Sequence, residues 1–300
     1  MTPCTYCGFA NREGARFCQG CGAQLAAAPA PAPPEEQPAP GRLVAGFATA
    51  DTPANQGSLT TLVFAPHWAG RAAPALACCA LAAGLGEAAP AAAVGPAQAG
   101  QVALQSFMAH VSCQVLLAEL AGEGYLPETL AVLLTEGLEE AHARLQALAT
   151  HSGQNLGAAL TALLVRGRDA VIAHVGHSRV YHVRGQTLTQ LTTDHSIAAR
   201  LLALGQLTPE EALAHPQQDA LYHSLGGAAS MESDIVHLEL QPGDWVLLCS
   251  PGVWRRIPKT ELGAFLATAE TPQSLCDYVI AHIMSNQGVD GGSIVALHLT

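Results

Sequence analysis

Three hundred residues suffice for one large domain or two of ordinary size, and a hydrophobic share of 49% allows a sizeable core. Thirteen Lys and Arg against 24 Asp and Glu leave a formal charge of -11. No basic stripe is present to neutralise phosphates, which excludes nucleic acid as the main partner. Met1-Thr2-Pro3-Cys4 shows no basic segment followed by an apolar run, so no signal peptide is expected. The most apolar stretch, Ala72 to Val94, is alanine-rich and broken by Pro74, Gly84, Gly86, Glu87 and Pro90, too interrupted to span a bilayer. The expectation is a soluble, cytoplasmic protein.

The chain opens on two Cys-x-x-Cys knuckles, Cys4/Cys7 and Cys18/Cys21, with ten residues between them. Four soft thiolates so placed can close a tetrahedral Zn²⁺ shell, and Gly8 and Gly22 allow a tight reversal after each knuckle. A cytosolic setting disfavours the alternative of disulfides. The segment resembles the short zinc ribbons at the N-terminus of bacterial regulatory proteins, with Phe17-Cys18-Gln19-Gly20-Cys21-Gly22 as the second knuckle. One structural zinc in residues 1–25 is expected, with no open position for catalysis. Cys78, Cys79, Cys113, Cys249 and Cys276 lie in apolar runs and read as small buried hydrophobes.

Residues 26–41 include AAAPAPAPPEEQPAP, a proline–alanine linker that favours extended polyproline II. Beyond it, residues 42–300 alternate strand and helix patterns. Strands are expected at Leu43 to Ala50 and Leu59 to Ala65, then helices near Ala69 to Gly84, Gln98 to Ala121 and Pro127 to Ala149. Strands follow at Ala158 to Val165, Ala170 to Val175, Val180 to Val183 and Thr187 to Leu191. The second and third of these flank Gly176-His177-Ser178-Arg179, which predicts a hairpin with a histidine at its tip. Helices at His195 to Leu204 and Pro209 to Ala214 precede strands at Asp234 to Leu240 and Trp245 to Ser250. A helix at Pro272 to Asn286 and a strand at Ser293 to Leu299 complete an α+β pattern of stacked antiparallel sheets with helices outside.

The run AHVGHSRVYHVRGQTLTQLTTDHSIAARLLALGQLTPEEALAHP, followed by LQPGDWVLLCSPGVW and VDGGSIVAL, resembles the metal-dependent serine/threonine phosphatases of the PPM (2C-type) family. Leu156-Gly157-Ala158-Ala159 stands where that family has Met-Gly-Thr-Thr. The resemblance covers residues 43 to 300. It implies a four-layer sandwich of helix, sheet, sheet and helix, and hydrolysis of phosphoserine or phosphothreonine by two Mn²⁺ or Mg²⁺ ions held on aspartates.

Against that pattern the ligand set is depleted. The stretch from Thr52 to Gly57 lacks the phosphate-binding arginine and the carboxylates. Pro66 and His67 replace the Asp-Gly whose aspartate bridges both metals. His177 and Pro251 each stand where the family has aspartate, and Asp290 alone is retained. Hard dications need several oxygen ligands, whereas imidazole suits zinc, copper or nickel, so Mn²⁺ or Mg²⁺ binding becomes doubtful. The reading is a pseudophosphatase: a binding module for a protein partner, a serine/threonine kinase or a phosphoprotein, with no catalytic residues. The competing reading is an active phosphatase with a rebuilt site in which His67, His177 and Asp290 converge, with Arg71, Arg255 or Arg256 for the phosphate. Trp68 suits interface and core equally; Trp254 reads as core.

Overall fold

The computed structural model describes residues 2–3, 7–12, 18–21, 42–50, 57–64, 67–68, 71–72, 76–85, 95–121, 127–227, 231–285 and 291–300. The chain forms two compact units, Met1–Ala39 and Pro40–Thr300. In the first, β1 (Thr2–Pro3) pairs antiparallel with β2 (Ala10–Asn11). The 26–41 linker falls outside the described residues.

The second unit begins with β3 (Leu43–Thr49), β4 (Gly57–Phe64), the two-residue strands β5 (His67–Trp68) and β6 (Arg71–Ala72), and β7 (Leu76–Leu85). Two long helices follow, α1 (Pro96–Ala121) and α2 (Pro127–Ser152), then β8 (Gly157–Arg166), β9 (Asp169–Val175), β10 (Arg179–Arg184) and β11 (Thr187–Gln190). Short helices α3 (Ile197–Ala203) and α4 (Pro209–Leu213) precede β12 (Asp234–Glu239) and β13 (Trp245–Cys249). The chain ends with α5 (Pro251–Trp254), α6 (Lys259–Thr268), α7 (Pro272–Ser285) and β14 (Ser293–Leu299).

Two five-stranded antiparallel sheets result, in the orders β11-β10-β13-β14-β3 and β12-β9-β8-β7-β4. Alternation along the strands decides what each face meets. From β7, Leu76, Cys78, Ala80 and Ala82 pack with Phe107 and Leu134 of α1 and α2. Its intervening Ala77 and Cys79 join Val180, Val246 and Val295 of the opposite sheet in the central layer. The far face of that sheet, with Tyr181, Leu247 and Ile294, is covered by Val253, Leu262 and Val279 of α5, α6 and α7. The four-layer α+β sandwich is therefore present.

Four expectations need correction, the simplest being Cys113, which is exposed on α1 while Cys78, Cys79, Cys249 and Cys276 are buried. The alanine-rich stretch expected as a helix over Ala69 to Gly84 contains the ten-residue strand β7, paired with both β4 and β8. Alanine favours helix intrinsically, but burial on both faces between neighbouring strands overrides that small preference. Close packing also selects small residues here: a Cβ at Gly84 would overlap the Pro96 carbonyl.

The expected hairpin is a crossover. β9 belongs to one sheet and β10 to the other, and they do not pair. Gly176, with φ +120°, lets the chain leave the first sheet and enter the second. Finally, Lys259–Thr268 forms α6, where no helix was expected.

Candidate functional site

The crossover Gly176-His177-Ser178 joins the two sheets at one end of the sandwich. Gly176 is required twice over, by its positive φ and because an added Cβ would lie 2.3 Å from the Ala159 Cβ. Its amide donates to His195 Nδ1 at 3.2 Å, and the His195 amide donates back to the Gly176 carbonyl at 2.6 Å. The LTTDHS segment thus clamps the crossover.

His177 is buried, with its Nε2 3.6 Å from Asp219 Oδ1. Arg255 Nη2 donates to the same oxygen at 2.5 Å. His177 and Arg255 hold the Asp219 carboxyl well below the usual carboxylate range, against the burial that opposes it. Trp254 Nε1 donates to the His177 carbonyl at 3.0 Å. The indole lies under two guanidiniums, Arg179 at 3.5 Å and Arg255 at 5.0 Å. Trp254 is only half-buried, so it is a bracket of the crossover as well as part of the packing around α5. Among the described residues, His177 Nδ1 and Ser178 Oγ are buried without a hydrogen-bond partner.

The retained motif residues have structural work. Arg179 makes a two-point contact with Asp194, Nε to Oδ1 at 3.0 Å and Nη2 to Oδ2 at 2.8 Å. His195 Nδ1 accepts the Gly176 amide, so its Nε2–H faces Asp234 Oδ2 at 3.1 Å. His174 Nε2 donates to the Thr193 carbonyl at 3.1 Å and its Nδ1 receives the Thr161 hydroxyl at 2.7 Å. Burial first, and His195 second, push His174 down to about 3.

Pro251 is the first residue of α5, where its missing N–H costs nothing, and it brings no ligand atom. Ser250 before it is bound through its Oγ to the Ser293 amide at 2.9 Å. Gly252 sits so tightly on Gly291 that a Cβ there would be 2.0 Å from the Gly291 carbonyl oxygen. Gly57 opens β4, and His67 lies on β5 in a ladder separate from both main sheets. Thr52, Pro66 and Asp290 lie outside the described residues. So does the expected convergence of His67, His177 and Asp290. Arg255, a candidate for the phosphate, is instead engaged by Asp219. Asp219 was missed from sequence, because 42 positions separate it from His177 and no local pattern links them.

In the first unit the Sγ atoms of Cys7, Cys18 and Cys21 lie within 4.8 Å of one another. Cys7 and Cys18 are 3.6 Å apart, close to the ~3.8 Å that tetrahedral zinc with ~2.3 Å bonds would set. The Gly20 amide points at Cys18 Sγ at 3.3 Å, as amides do toward thiolates. These donors fit zinc; Cys4, the expected fourth ligand, lies outside the described residues. Among the described residues at the crossover the donors are the His177 imidazole and the Asp219 carboxylate, and Pro251 brings no ligand atom.

The architecture is that of the PPM serine/threonine phosphatases. A Mycobacterium tuberculosis phosphatase, PstP/Ppp, matches at 25% identity with a TM-score of 0.68, over 86% of this chain and 98% of that one. A second structure, the PstP catalytic domain with two manganese ions, matches at 26% identity, with a TM-score of 0.65, over 86% and 100% of the two chains. In sequence, the protein phosphatase PhpP of Streptococcus pneumoniae is 35% identical over 144 residues, 48% of this chain and 58% of that protein. The serine/threonine phosphatase stp of Listeria monocytogenes is 34% identical over 140 residues, 47% and 56% of the two. The chain thus aligns with less than two thirds of these relatives' length. No family profile matches it. Among the described residues no helix is long and apolar enough to cross a membrane.

Proposed function

We propose that the Pro40–Thr300 unit is a pseudophosphatase, which engages a phosphoprotein or a serine/threonine kinase as a protein partner without hydrolysing phosphate. The observation that carries this reading is at the crossover. A buried imidazole, His177, held against the Asp219–Arg255 pair, occupies a position where the PPM pattern requires a metal-bound aspartate. Pro66 and Pro251 remove two further carboxylates. Two dications without bridging carboxylates are not neutralised, and the attacking water they would activate is lost. The scaffold is otherwise sound, with both sheets complete and the LTTDHS clamp made. The cysteine knuckles, with one structural zinc, would form a second contact on a proline-rich tether, which raises avidity when both engage together.

A second reading has support of its own. The relatives and structural neighbours are named as phosphatases, and this favours an active phosphatase with a rebuilt His67, His177 and Asp290 site over the loss of activity. Turnover separates the two. Phosphate-monoester hydrolysis needs accelerations of up to ~10²¹-fold, so a site without metals is indistinguishable from blank. With Mn²⁺ and phosphoserine or phosphothreonine peptides, the purified chain should release no phosphate above buffer. Activity that tracks the protein through gel filtration and disappears in His67→Ala with His177→Ala would establish the rebuilt site and end the pseudophosphatase reading.

A further inference from the structure

Beside the crossover, an open cavity of about 430 Å³ lies between α3, α4 and the strand segment leading into LTTDHS. Its cause is local. The facing sides of the two helices carry Ala198, Ala199, Ala203 and Ala212, and the volume that larger side chains would fill stays open. Thr208 caps α4 through a reciprocal pair with Glu211, at 3.2 and 2.8 Å, which holds that wall in place. The lining is mostly apolar. Leu202 and Leu213 border it while remaining 36% and 50% exposed, a cost that an occupant covering them would remove.

Three charged groups line the cavity: Arg179, Asp194 and Lys259. Arg179 is neutralised by its two-point contact with Asp194. Among the described residues Lys259 has no carboxylate partner; it lies 5.7 Å from the Tyr181 ring centre. It is also the first residue of the ten-residue helix α6, whose N-terminus follows Pro258 and has no side-chain cap. The exposed amides of that turn and the ammonium both attract an anion. Glu261 in the same turn is engaged by His282 at 3.1 Å. Among the lining residues Arg179 and Asp194 cancel and Lys259 remains, which leaves one net positive charge at the edge of an apolar lining. Its size falls within the range of small-molecule sites, roughly 300–1,000 Å³, which pair an apolar lining with a few polar groups.

We infer that the α3–α4 cavity is a binding site for an amphipathic monoanion, a small molecule with an aliphatic body and one carboxylate. The body lies against Leu202, Ala212 and Leu213, and the carboxylate meets Lys259 and the start of α6. Nothing in this site depends on the metal positions, so it stands whether or not the domain hydrolyses phosphate.

The test is isothermal titration of the full chain with sodium laurate below its micelle concentration, with dodecyltrimethylammonium as the charge-reversed control. Laurate should bind saturably at one per chain, and the cationic amphiphile should not. Lys259→Gln should weaken laurate about fivefold, the upper end for an exposed ion pair. Ala212→Leu and Ala199→Leu each fill the cavity and should abolish binding with the melting temperature retained; if one unfolds, the other decides. Absence of saturable binding, equal binding of the cationic probe, or unchanged affinity in a folded cavity-filling variant would each overturn the assignment.

Discussion

Acid should unfold this domain through His174. The side chain is fully buried, with its Nε2–H given to the Thr193 carbonyl and its Nδ1 taken by the Thr161 hydroxyl. A second proton on Nδ1 would meet a hydroxyl rather than a carboxylate, with the His195 ring centred 4.9 Å away. Burial and His195 lower the group from 6.5 to about 3, with His177 adding slightly; Asp234 and the Thr193 carbonyl oppose them. Between those values the unfolded chain holds the proton and the folded chain does not. Stability is therefore complete above pH 6.5 and falls as the pH drops toward 3. Each unit is about 1.4 kcal/mol, so the loss at pH 4 is of order 3 kcal/mol and approaches 5 kcal/mol at the lower limit. That is a large part of an ordinary domain's stability of about 5–15 kcal/mol. Asp244 does not confuse the measurement. Burial raises it, but Arg184, the Gln241 amide and His182 overcome this and hold it at about 2, so it titrates below the window. Urea unfolding followed from pH 7 to pH 4 should lose stability, and His174→Gln should reduce the slope by about one proton while lowering stability at pH 7; His142 and His298, which burial also lowers, account for the slope that remains. Equal slopes for the two proteins would refute the reasoning.

Two further outcomes are expected. The first unit should bind one Zn²⁺ per chain, and since the binding free energy of such a module, about 10–16 kcal/mol, is folding free energy, chelation should unfold residues 1–25. The unfolding transition of Pro40–Thr300 should be unchanged; four thiols freely reactive in the native protein with no metal would contradict this. Gly176→Ala places a Cβ 2.3 Å from the Ala159 Cβ at a φ of +120°, so urea unfolding should show a loss of about 3 kcal/mol or more. A loss below about 1 kcal/mol would mean the crossover is loosely packed.

What the sequence determined by itself was whatever is written in neighbouring residues. The paired cysteine spacings, the apolar strands β8, β9 and β13, the helices α1 and α2, and Pro66, His177 and Pro251 at positions where the resembled PPM pattern has aspartate are all legible locally. Tertiary structure decided the rest. β7 became a strand because its alanines and cysteines are buried on both faces, a condition that helix propensity does not register. The turn at Gly176 joins two sheets instead of closing a hairpin, because β9 and β10 find their partners in β8, β12, β11 and β13, up to 70 positions away. Asp219 meets His177 and Arg255 only after the chain between them has folded back, and Lys259 reaches the α3–α4 cavity only through the packing of α6 on the outer layer. Charge pairing and cavities belong to residues distant in the chain, so the motifs announced the scaffold while the fold alone determined what surrounds the crossover.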